Sequence, residues 1–433
     1  HERSSAASDV YKRQMNACIH YDDPISMLDL DKNFTELKEK ISKDGYIESL
    51  IESALLTNSH RLTYELKPDT SFNENLDEFF SSTLKQKEQS LTESDKNKII
   101  KLADDLKTRQ EAEDDASLLP KVTIDDIPLK REYAQSNGIV GNRTIYEVGT
   151  NGLIYSDFLF PCSNLSDEEL LFSSLYTFII TEVGFQEKSY EEIQAHQSKI
   201  SGGISAAIKL QTKESFEPGT LFLSISSKCL EENFTNMEDL ITNTIQSVRF
   251  DEEQRILDLL NIFVARNDES LNQNGHYLAM NSAASPLNPL ATTSFHLSGL
   301  QMIHRSKELI SKIQMDGDAS YVINILKNIH SKVSNNPYKI FTACSKDALD
   351  NKLKELEVSP SRNEQQLINA TQPQIAWITG SQVCYCAQAF MGVSREHPDS
   401  AALSVLATVL RNGFLHTAIR EKGGAYGAGA SND

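Results

Sequence analysis

The chain has 433 residues with 39% hydrophobic and 24% charged residues and a formal net charge of −19, as in a soluble globular protein of about three domains. The negative charge argues against nucleic acid as a partner, because phosphates would be repelled. No apolar run reaches the roughly 18 residues of a membrane span, which predicts no membrane partner. Six cysteines without regular spacing predict a reducing compartment.

The first part of the chain, residues 1–118, divides into three segments, 1–14, 15–70 and 71–118. Residues 1–14 lack an initiator methionine and differ in texture from the rest of the chain, so we interpret them as adapter-derived and exclude them from the fold. Residues 15–70 end in a run in which Leu62, Tyr64 and Leu66 alternate with polar residues, a pattern that predicts a strand.

The charge-rich segment 71–118 predicts an exposed helical hairpin that acts as a connector. Ser90 stands three residues before Glu93, the spacing of a capping box at the start of the second helix.

The region 119–358 predicts an α+β domain. Asn151-Gly152 lies between two alternating runs, which predicts a β-hairpin. Two helices come next, each with a Ser-x-x-Glu capping box at Ser166 and Ser189, and the second ends at Gly202-Gly203 before a strand. The remaining pattern predicts strands at 220–230 and 338–345 and a helical tract over about 250–335.

The last region, 359–433, repeats this order of elements. A strand at 382–393 precedes two helical pieces separated by Arg411-Asn412-Gly413, then Gly423-Gly424 and a strand-like 425–430. The two Gly-Gly pairs are about 220 residues apart, which predicts duplicated α+β domains. Cys384 and Cys386 would share one face of the strand, but one such pair does not by itself predict a metal site.

The terminal glycines do not form a phosphate loop, because here the helix precedes them. We expect Gly423 to adopt the left-handed conformation past the helix end, and Gly427 and Gly429 to leave one strand face bare. Arg420 and Tyr426 would then flank that bare strand and could hydrogen-bond a carbonyl or a developing oxyanion. The alternative is a helix-dipole arginine and a packing tyrosine.

The segment LRNGFLHTAIREKGGAYGAGAS (410–431) resembles the Arg-x5-Tyr segment of the presequence-protease branch of the insulinase/pitrilysin family of zinc metallopeptidases. The resemblance extends in the same order through NSHRLTYELKPD, LKTRQEAEDDASLLPKVTIDDIPLK, TNGLIYSDFLFPCSNLSDEELL and SYEEIQAHQSKISGGISA, and covers about residues 20–433.

The resemblance implies a fold of duplicated α+β domains like those of the mitochondrial processing peptidase, with antiparallel sheets packed against helices. Four such domains form two halves, which a helical hairpin joins and which close around an unfolded peptide. Residues 15–70 would end the second domain, 71–118 form the linker, 119–358 the third domain and 359–433 a truncated fourth domain.

The resemblance also implies a site. The family binds Zn²⁺ through H-x-x-E-H and a downstream glutamate in its first domain, and its last domain contributes an arginine and a tyrosine. Arg420, Tyr426 and Gly424 would therefore contact the substrate, with Arg420 and Tyr426 also at the transition state. At the matching positions the first Gly-Gly copy has Lys199 and Ser205.

None of the ten histidines lies in H-x-x-E-H. We therefore expect a C-terminal-half fragment, inactive alone, whose partners are unstructured peptides and the N-terminal half that binds the zinc. The alternative is a non-catalytic scaffold or subunit of the same fold. The cysteine pattern suits a bacterial cytoplasm, with a mitochondrial matrix as the alternative.

Overall fold

The structure is a computed structural model. It describes residues 18–21, 23, 25, 30–111, 117, 123–128, 133–162, 165–211, 220–348, 376–380 and 383–432. The proposed leader 1–14 and the boundary at 358–359 lie outside these residues. The chain divides into two compact units, His1–Glu113 and Asp114–Asp433.

The first unit is helical in its described part. Its helices are α1 (Leu30–Ile41), α2 (Tyr46–Ile51, continued by a π-turn at Glu52–Leu56), α3 (Phe72–Ser90) and α4 (Glu93–Glu111). Because α3 and α4 are each 19 residues long and only two residues separate them, the predicted helical pair is confirmed.

The cap of α4 lies two residues beyond the predicted one. Ser90 is the last residue of α3, and its hydroxyl donates to Lys87 O (2.7 Å) within that helix. Thr92 caps α4 instead: Asp95 N–H donates to Thr92 Oγ1 (3.2 Å), while the hydroxyl of Thr92 donates to Asp95 Oδ2 (2.6 Å). Because α4 begins at Glu93, Thr92 is the residue directly before the helix, and Ser90 lies two residues too early to be its N-cap.

The strand predicted around Leu62, Tyr64 and Leu66 does not form. These side chains are 87%, 79% and 83% exposed, and no described strand pairs with residues 60–69. An alternating sequence becomes a strand only where a neighbour bonds its backbone and covers one face.

The second unit contains one six-stranded sheet in its described part. Its strands in spatial order are β1 (Gly138–Val140), β2 (Arg143–Glu147), β6 (Lys339–Cys344), β3 (Leu153–Pro161), β5 (Thr220–Leu230) and β4 (Ile204–Gln211). All neighbours are antiparallel except β2 and β6, which are parallel. The predicted strands at 204–210, 220–230 and 338–345 are confirmed, and the sheet is mixed rather than wholly antiparallel.

The hairpin predicted at Asn151-Gly152 is wrong, although the turn itself forms. Asn151 and Gly152 both have positive φ (53° and 81°), and Leu153 N–H donates to Thr150 O (3.2 Å), as a tight two-residue turn requires. However, β6 lies between β2 and β3 and pairs with both. Local turn chemistry fixes the direction of the chain but not which strand becomes its neighbour.

The helices that lie between β3 and β6 in the sequence share a hydrophobic core with this sheet. They are α5 (Asp167–Ile180), α6 (Tyr190–Ile200), α7 (Phe234–Gln246), α8 (Glu253–Gln273), α9 (Gly275–Ala284), α10 (Pro289–Ser298), α11 (Leu300–Asp316) and α12 (Ser320–Val333). Both predicted capping boxes, Ser166 with Glu169 and Ser189 with Glu192, are present. The core between sheet and helices includes Phe158, Phe160, Tyr176 and Leu223.

An ion pair lies within this core. Arg143 on β2 donates to Glu238 on α7 (2.6 Å) and to Thr342 Oγ1 on β6 (2.5 Å), and its guanidinium lies 5.6 Å from the Phe234 ring centroid. Burial raises the pKa of Glu238, and the adjacent Arg143 guanidinium opposes that shift. The pair therefore connects two strands to a helix through charges that depend on each other.

Candidate functional site

The residues predicted to contact substrate lie at the end of one long helix, α13. It is α-helical over Ser400–Leu410 and continues as a π-helix over Arg411–Lys422. The predicted break at Arg411-Asn412-Gly413 is therefore wrong. A π-helix takes up additional residues per turn by i→i+5 bonding, which lets the chain remain helical through Gly413.

Most of α13 is uncovered in the described structure. Ala407 is its buried residue, whereas the exposed large apolar residues are Val405, Leu406, Val409, Leu410, Phe414 and Ile419. By length and composition alone, Ser400–Lys422 could cross a bilayer. This is weak evidence, because core helices of soluble proteins meet the same criterion. The expectation of no membrane partner therefore stays a prediction.

The left-handed residue at the end of α13 is Gly424 rather than Gly423. Gly423 has φ −85°, whereas Gly424 has φ +72°. Gly424 N–H donates to Arg420 O (3.2 Å) and Ala425 N–H donates to Ile419 O (3.1 Å). The left-handed conformation lets these N–H groups bond the last carbonyls of the helix and turns the chain away from the helix axis. The predicted role of glycine is correct, but it falls one residue later.

Arg420 and Tyr426 lie on either side of this turn. Arg420 is exposed in the last turn of the helix, and Tyr426 is 94% exposed two residues after Gly424. Neither side chain has a hydrogen bond or an ion pair within the described part of the chain. The structure thus places both donors next to one turn and open to solvent, without bringing them into contact with each other.

The strand predicted after the turn is an extended segment that runs beside the helix. Asn432 Nδ2 donates to Ser404 Oγ (3.0 Å), and a Cβ added to Gly429 would lie 3.8 Å from Arg411 Cδ. A side chain of α13, rather than another backbone, therefore approaches Gly429. No described strand pairs with residues 427–432.

The strand predicted at 382–393 is an extended segment in its described part, 383–393, to which no strand is assigned. Tyr385, Ala387 and Ala389 are half-buried, while Cys384 and Cys386 are exposed, so the predicted alternation of faces is present over residues 384–390, whereas Val383 and Met391, predicted on the half-buried face, are exposed. The Tyr385 ring covers Gly275 of α9, where an added Cβ would lie 2.2 Å from Tyr385 Cε2. Just upstream, Trp377 Nε1 donates to Ser282 Oγ of α9 (3.3 Å). This segment therefore lies along α9.

The first Gly-Gly copy shows the folded form of the same order of elements. Lys199 lies in the last turn of α6, Gly203 has φ +100°, and Ser205 lies in β4, where its hydroxyl donates to Ser226 O (3.5 Å). At this turn the chain enters a sheet directly, and lysine and serine stand where the last region has arginine and tyrosine.

A polar cluster on the open sheet face was not predicted. Asp157 on β3 accepts from Lys209 Nζ of β4 (2.9 Å), from Ser226 of β5 (2.8 Å) and from Ser224. Burial opposes ionisation of Asp157, but the hydrogen bonds from Lys209, Ser224 and Ser226 outweigh burial and hold its pKa below the usual value. The alternation of polar residues in β4 and β5 was visible in the sequence, whereas their alignment with Asp157 depends on strand order.

These residues do not fit a zinc site. The sequence contains no H-x-x-E-H, and the described residues contain no group of three or more histidine, cysteine, aspartate or glutamate side chains placed to hold a metal ion. Cys384 and Cys386 are both exposed and unpaired with other thiols. No catalytic step is therefore assigned to a metal on this chain.

The sequence matches two families of peptidase domains. Residues 66–309 match the family of domains associated with peptidase family M16, subfamily C, and residues 321–433 match the family described as "Peptidase M16 inactive domain". The first match spans more than half of the chain, so the chain belongs to the family of domains associated with subfamily C of the M16 peptidases. The predicted family resemblance and α+β fold class are confirmed.

Several curated relatives carry the name "Presequence protease, mitochondrial". Those of Drosophila melanogaster, Candida albicans and Schizosaccharomyces pombe are 29%, 26% and 25% identical over 95%, 95% and 94% of this chain, and over 41%, 43% and 42% of their own length. The chain thus spans about two fifths of the length of these relatives. Among solved structures, a conserved protein from Enterococcus faecalis V583 matches 57% of each chain at 10% identity with a TM-score of 0.36, which supports no conclusion.

Proposed function

We propose that this chain is part of a zinc-dependent endopeptidase that degrades short, unstructured peptides. The observation that carries the proposal is the match of 94–95% of the chain to proteases named presequence proteases. Since the chain spans only about two fifths of their length and its residues do not fit zinc, the metal would be held elsewhere in the whole protein. In the proposal, this part forms the wall of a peptide chamber that closes against the metal-binding half.

Arg420 and Tyr426 are the proposed contacts to the peptide. The guanidinium has five N–H donors and the phenol one O–H donor, and both groups are exposed. In the proposal Arg420 binds a peptide carbonyl or carboxylate and positions the chain, and the Tyr426 hydroxyl donates to the oxyanion that develops on the scissile carbonyl. Gly424 has no atom within 4 Å of an added Cβ, which leaves room for a peptide beside the turn.

The domain division follows the same reasoning. We propose that residues 15–70 complete a preceding domain, that 71–118 form the connector between two halves, and that 119–358 and 359–433 belong to the third and fourth domains. We also propose a mitochondrial location, because the relatives are named mitochondrial. The bacterial cytoplasm, the first choice from the cysteine pattern, stays a prediction, and the mitochondrial matrix is its alternative.

The test uses the full-length protein and an unstructured fluorogenic peptide. Tyr426→Phe should lower kcat by about 10²–10³, the usual effect of removing one oxyanion donor. Arg420→Ala should mainly raise KM, because it removes binding present in both ground and transition states. Lys199→Ala is the matched control, since it removes a cation at the same position of the first Gly-Gly copy.

Unchanged hydrolysis in Arg420→Ala and Tyr426→Phe would contradict these roles. The non-catalytic scaffold is the second candidate, because the described residues bring no metal ligands together. Reading the coding sequence upstream of Met15 separates the two. An upstream H-x-x-E-H with a downstream glutamate supports the peptidase, and an upstream half without those ligands supports the scaffold.

A further inference from the structure

We propose that the outer edge of β4 is a second docking site, at which an extended peptide segment adds a strand to the sheet. This inference rests on the proposed function only for the identity of the peptide, which would be a substrate. The site lies in the third region of the chain, on elements that include neither Arg420 nor Tyr426.

The two edges of the sheet differ in length. β1 is three residues long, whereas β4 is eight residues long and pairs only with β5 among the described strands. An exposed edge strand of that length presents unpaired backbone N–H and C=O groups and is a template for another strand. The sequence of β4, ISAAIKLQ, contains one charged residue, Lys209.

The register identifies which backbone groups point outward. Cys162 N–H donates to Leu221 O (2.8 Å) on the β3 side, so the alternate residues of β5, including Ser224, direct their backbone groups toward β4. Ser224 is opposite Ala207, and therefore the outward-pointing residues of β4 are Ile204, Ala206, Ile208 and Leu210.

A groove lies along this edge on the helical side. A cavity of about 300 Å³ is bounded by Ala206, Ile208 and Leu210 of β4 and by small residues of α5 and α10, among them Ser174 and Ser294. The β4 side chains there are only partly covered. An added strand would therefore bond the outward amides and bury these apolar side chains with its own alternate residues.

A second cavity lies beside the turn that precedes β4. It has a volume of about 320 Å³ and is lined by Gln194, Gln197, Ser198 and Gly203 together with Glu182 and Ser201. Its amide and hydroxyl groups suit a polar side chain. The groove thus favours a peptide with a polar residue at one end and small apolar residues at alternate positions along β4.

The charge of the chain favours a peptide over a second copy of itself. With a net charge of −19, two copies repel each other, whereas a non-acidic peptide is not repelled. Strand addition also requires an unfolded backbone, which the proposed substrates have. The occupant we infer is therefore an extended, non-acidic segment of a peptide substrate.

The test measures binding without hydrolysis. The probe is a fluorescent peptide of ten alternating valine and threonine residues with a lysine added at each end and both termini blocked, and its binding to the full chain is followed by anisotropy with a metal chelator present. Hydrogen exchange should slow in residues 204–211 when the probe is added. Ile208→Pro, which removes one outward N–H from an edge strand, should weaken binding about tenfold or more. Ile208→Val is the matched control and should bind as the unmodified chain does.

Two N-methylated probes keep the test independent of any folding defect in the proline variant. One carries the methyl groups on its valine amides and the other on its threonine amides, and only one of these sets can point toward β4. Loss of binding with one probe alone supports strand addition. Equal loss with both, no loss with either, or unchanged exchange in residues 204–211 would overturn it. Failure of the catalytic roles proposed for Arg420 and Tyr426 would be seen separately, because those roles are tested by hydrolysis, whereas this test follows hydrogen exchange in residues 204–211 and binding without hydrolysis.

Discussion

A buried histidine should make the second unit less stable in acid. His330 on α12 lies with its Nδ1 3.0 Å from the hydroxyl of Tyr176 on α5, and its ring packs edge-on against Phe250 at 5.5 Å. Burial lowers the pKa of His330 from 6.5 to about 4 and raises that of Tyr176. At neutral pH the imidazole is therefore neutral, and the protonated phenol donates to its Nδ1.

The sign and size of the effect follow from linkage. Because the pKa of His330 is lower in the folded chain than in the unfolded chain, the unfolded chain takes up the proton first as the pH falls. The contribution to stability is complete above pH 6.5 and is lost between pH 6.5 and 4. The two pKa values give a loss of about 2 kcal/mol at pH 5 and about 3 kcal/mol below both pKa values.

The assay is urea unfolding followed by the fluorescence of Trp377, the only tryptophan, which lies against α9 and α11. The chain and its His330→Phe variant are compared at pH 7.5 and pH 5. The variant leaves the neutral Tyr176 hydroxyl without its partner at both pH values. The free-energy cost of that lost hydrogen bond therefore cancels when the unfolding free energies at the two pH values are subtracted. The unmodified chain should lose about 2 kcal/mol more than the variant on acidification. Equal losses in the two proteins would refute the reasoning.

Two further predictions concern stability. Glu238→Ala should destabilise the second unit by about 3–5 kcal/mol, because Arg143 would remain buried without its partner, whereas replacing both residues by methionine should cost much less. Urea unfolding of the single and double variants measures both losses. Equal losses of unfolding free energy in the two variants would show that the pair is not coupled. Thr92→Ala should cost about 1 kcal/mol of helix stability, and Ser90→Ala should cost much less. Thermal unfolding followed by circular dichroism measures both effects. A larger effect of Ser90→Ala than of Thr92→Ala would contradict the observed cap.

Local signals in the sequence predicted local structure well. The two Ser-x-x-Glu boxes before α5 and α6 are present, and the strand predicted at 220–230 matches β5. These features depend on residues a few positions apart, whose geometry the sequence spacing determines. The prediction of a cap at Ser90 is wrong because α3 extends to Ser90 and α4 begins only at Glu93, which makes Thr92 the residue before the helix.

Strand neighbours could not be predicted from local signals. The Asn151-Gly152 turn adopts the expected conformation, yet β6, almost 200 residues further along the chain, lies between the two strands it connects. Pairing with β6 places Thr342 beside Arg143 and so provides a partner for a charge that the core would otherwise exclude. The order β2-β6-β3 is thus a tertiary choice, and the sequence around the turn does not encode it.

The distinction between local structure and strand pairing also applies to residues 383–432. Residues 384–390 keep the alternation of a strand and α13 keeps its helical pattern, but within the described part of the chain no sheet is assigned around them like the one that contains β3 in the first copy. The apolar side chains of α13 therefore stay exposed, and the turn at Gly424 is set by backbone chemistry alone. Because that turn forms without a sheet, the spacing of Arg420 and Tyr426 is a local property of the sequence. A sheet would add a fixed direction for Tyr426, and the proposed loss of rate in Tyr426→Phe depends on that direction.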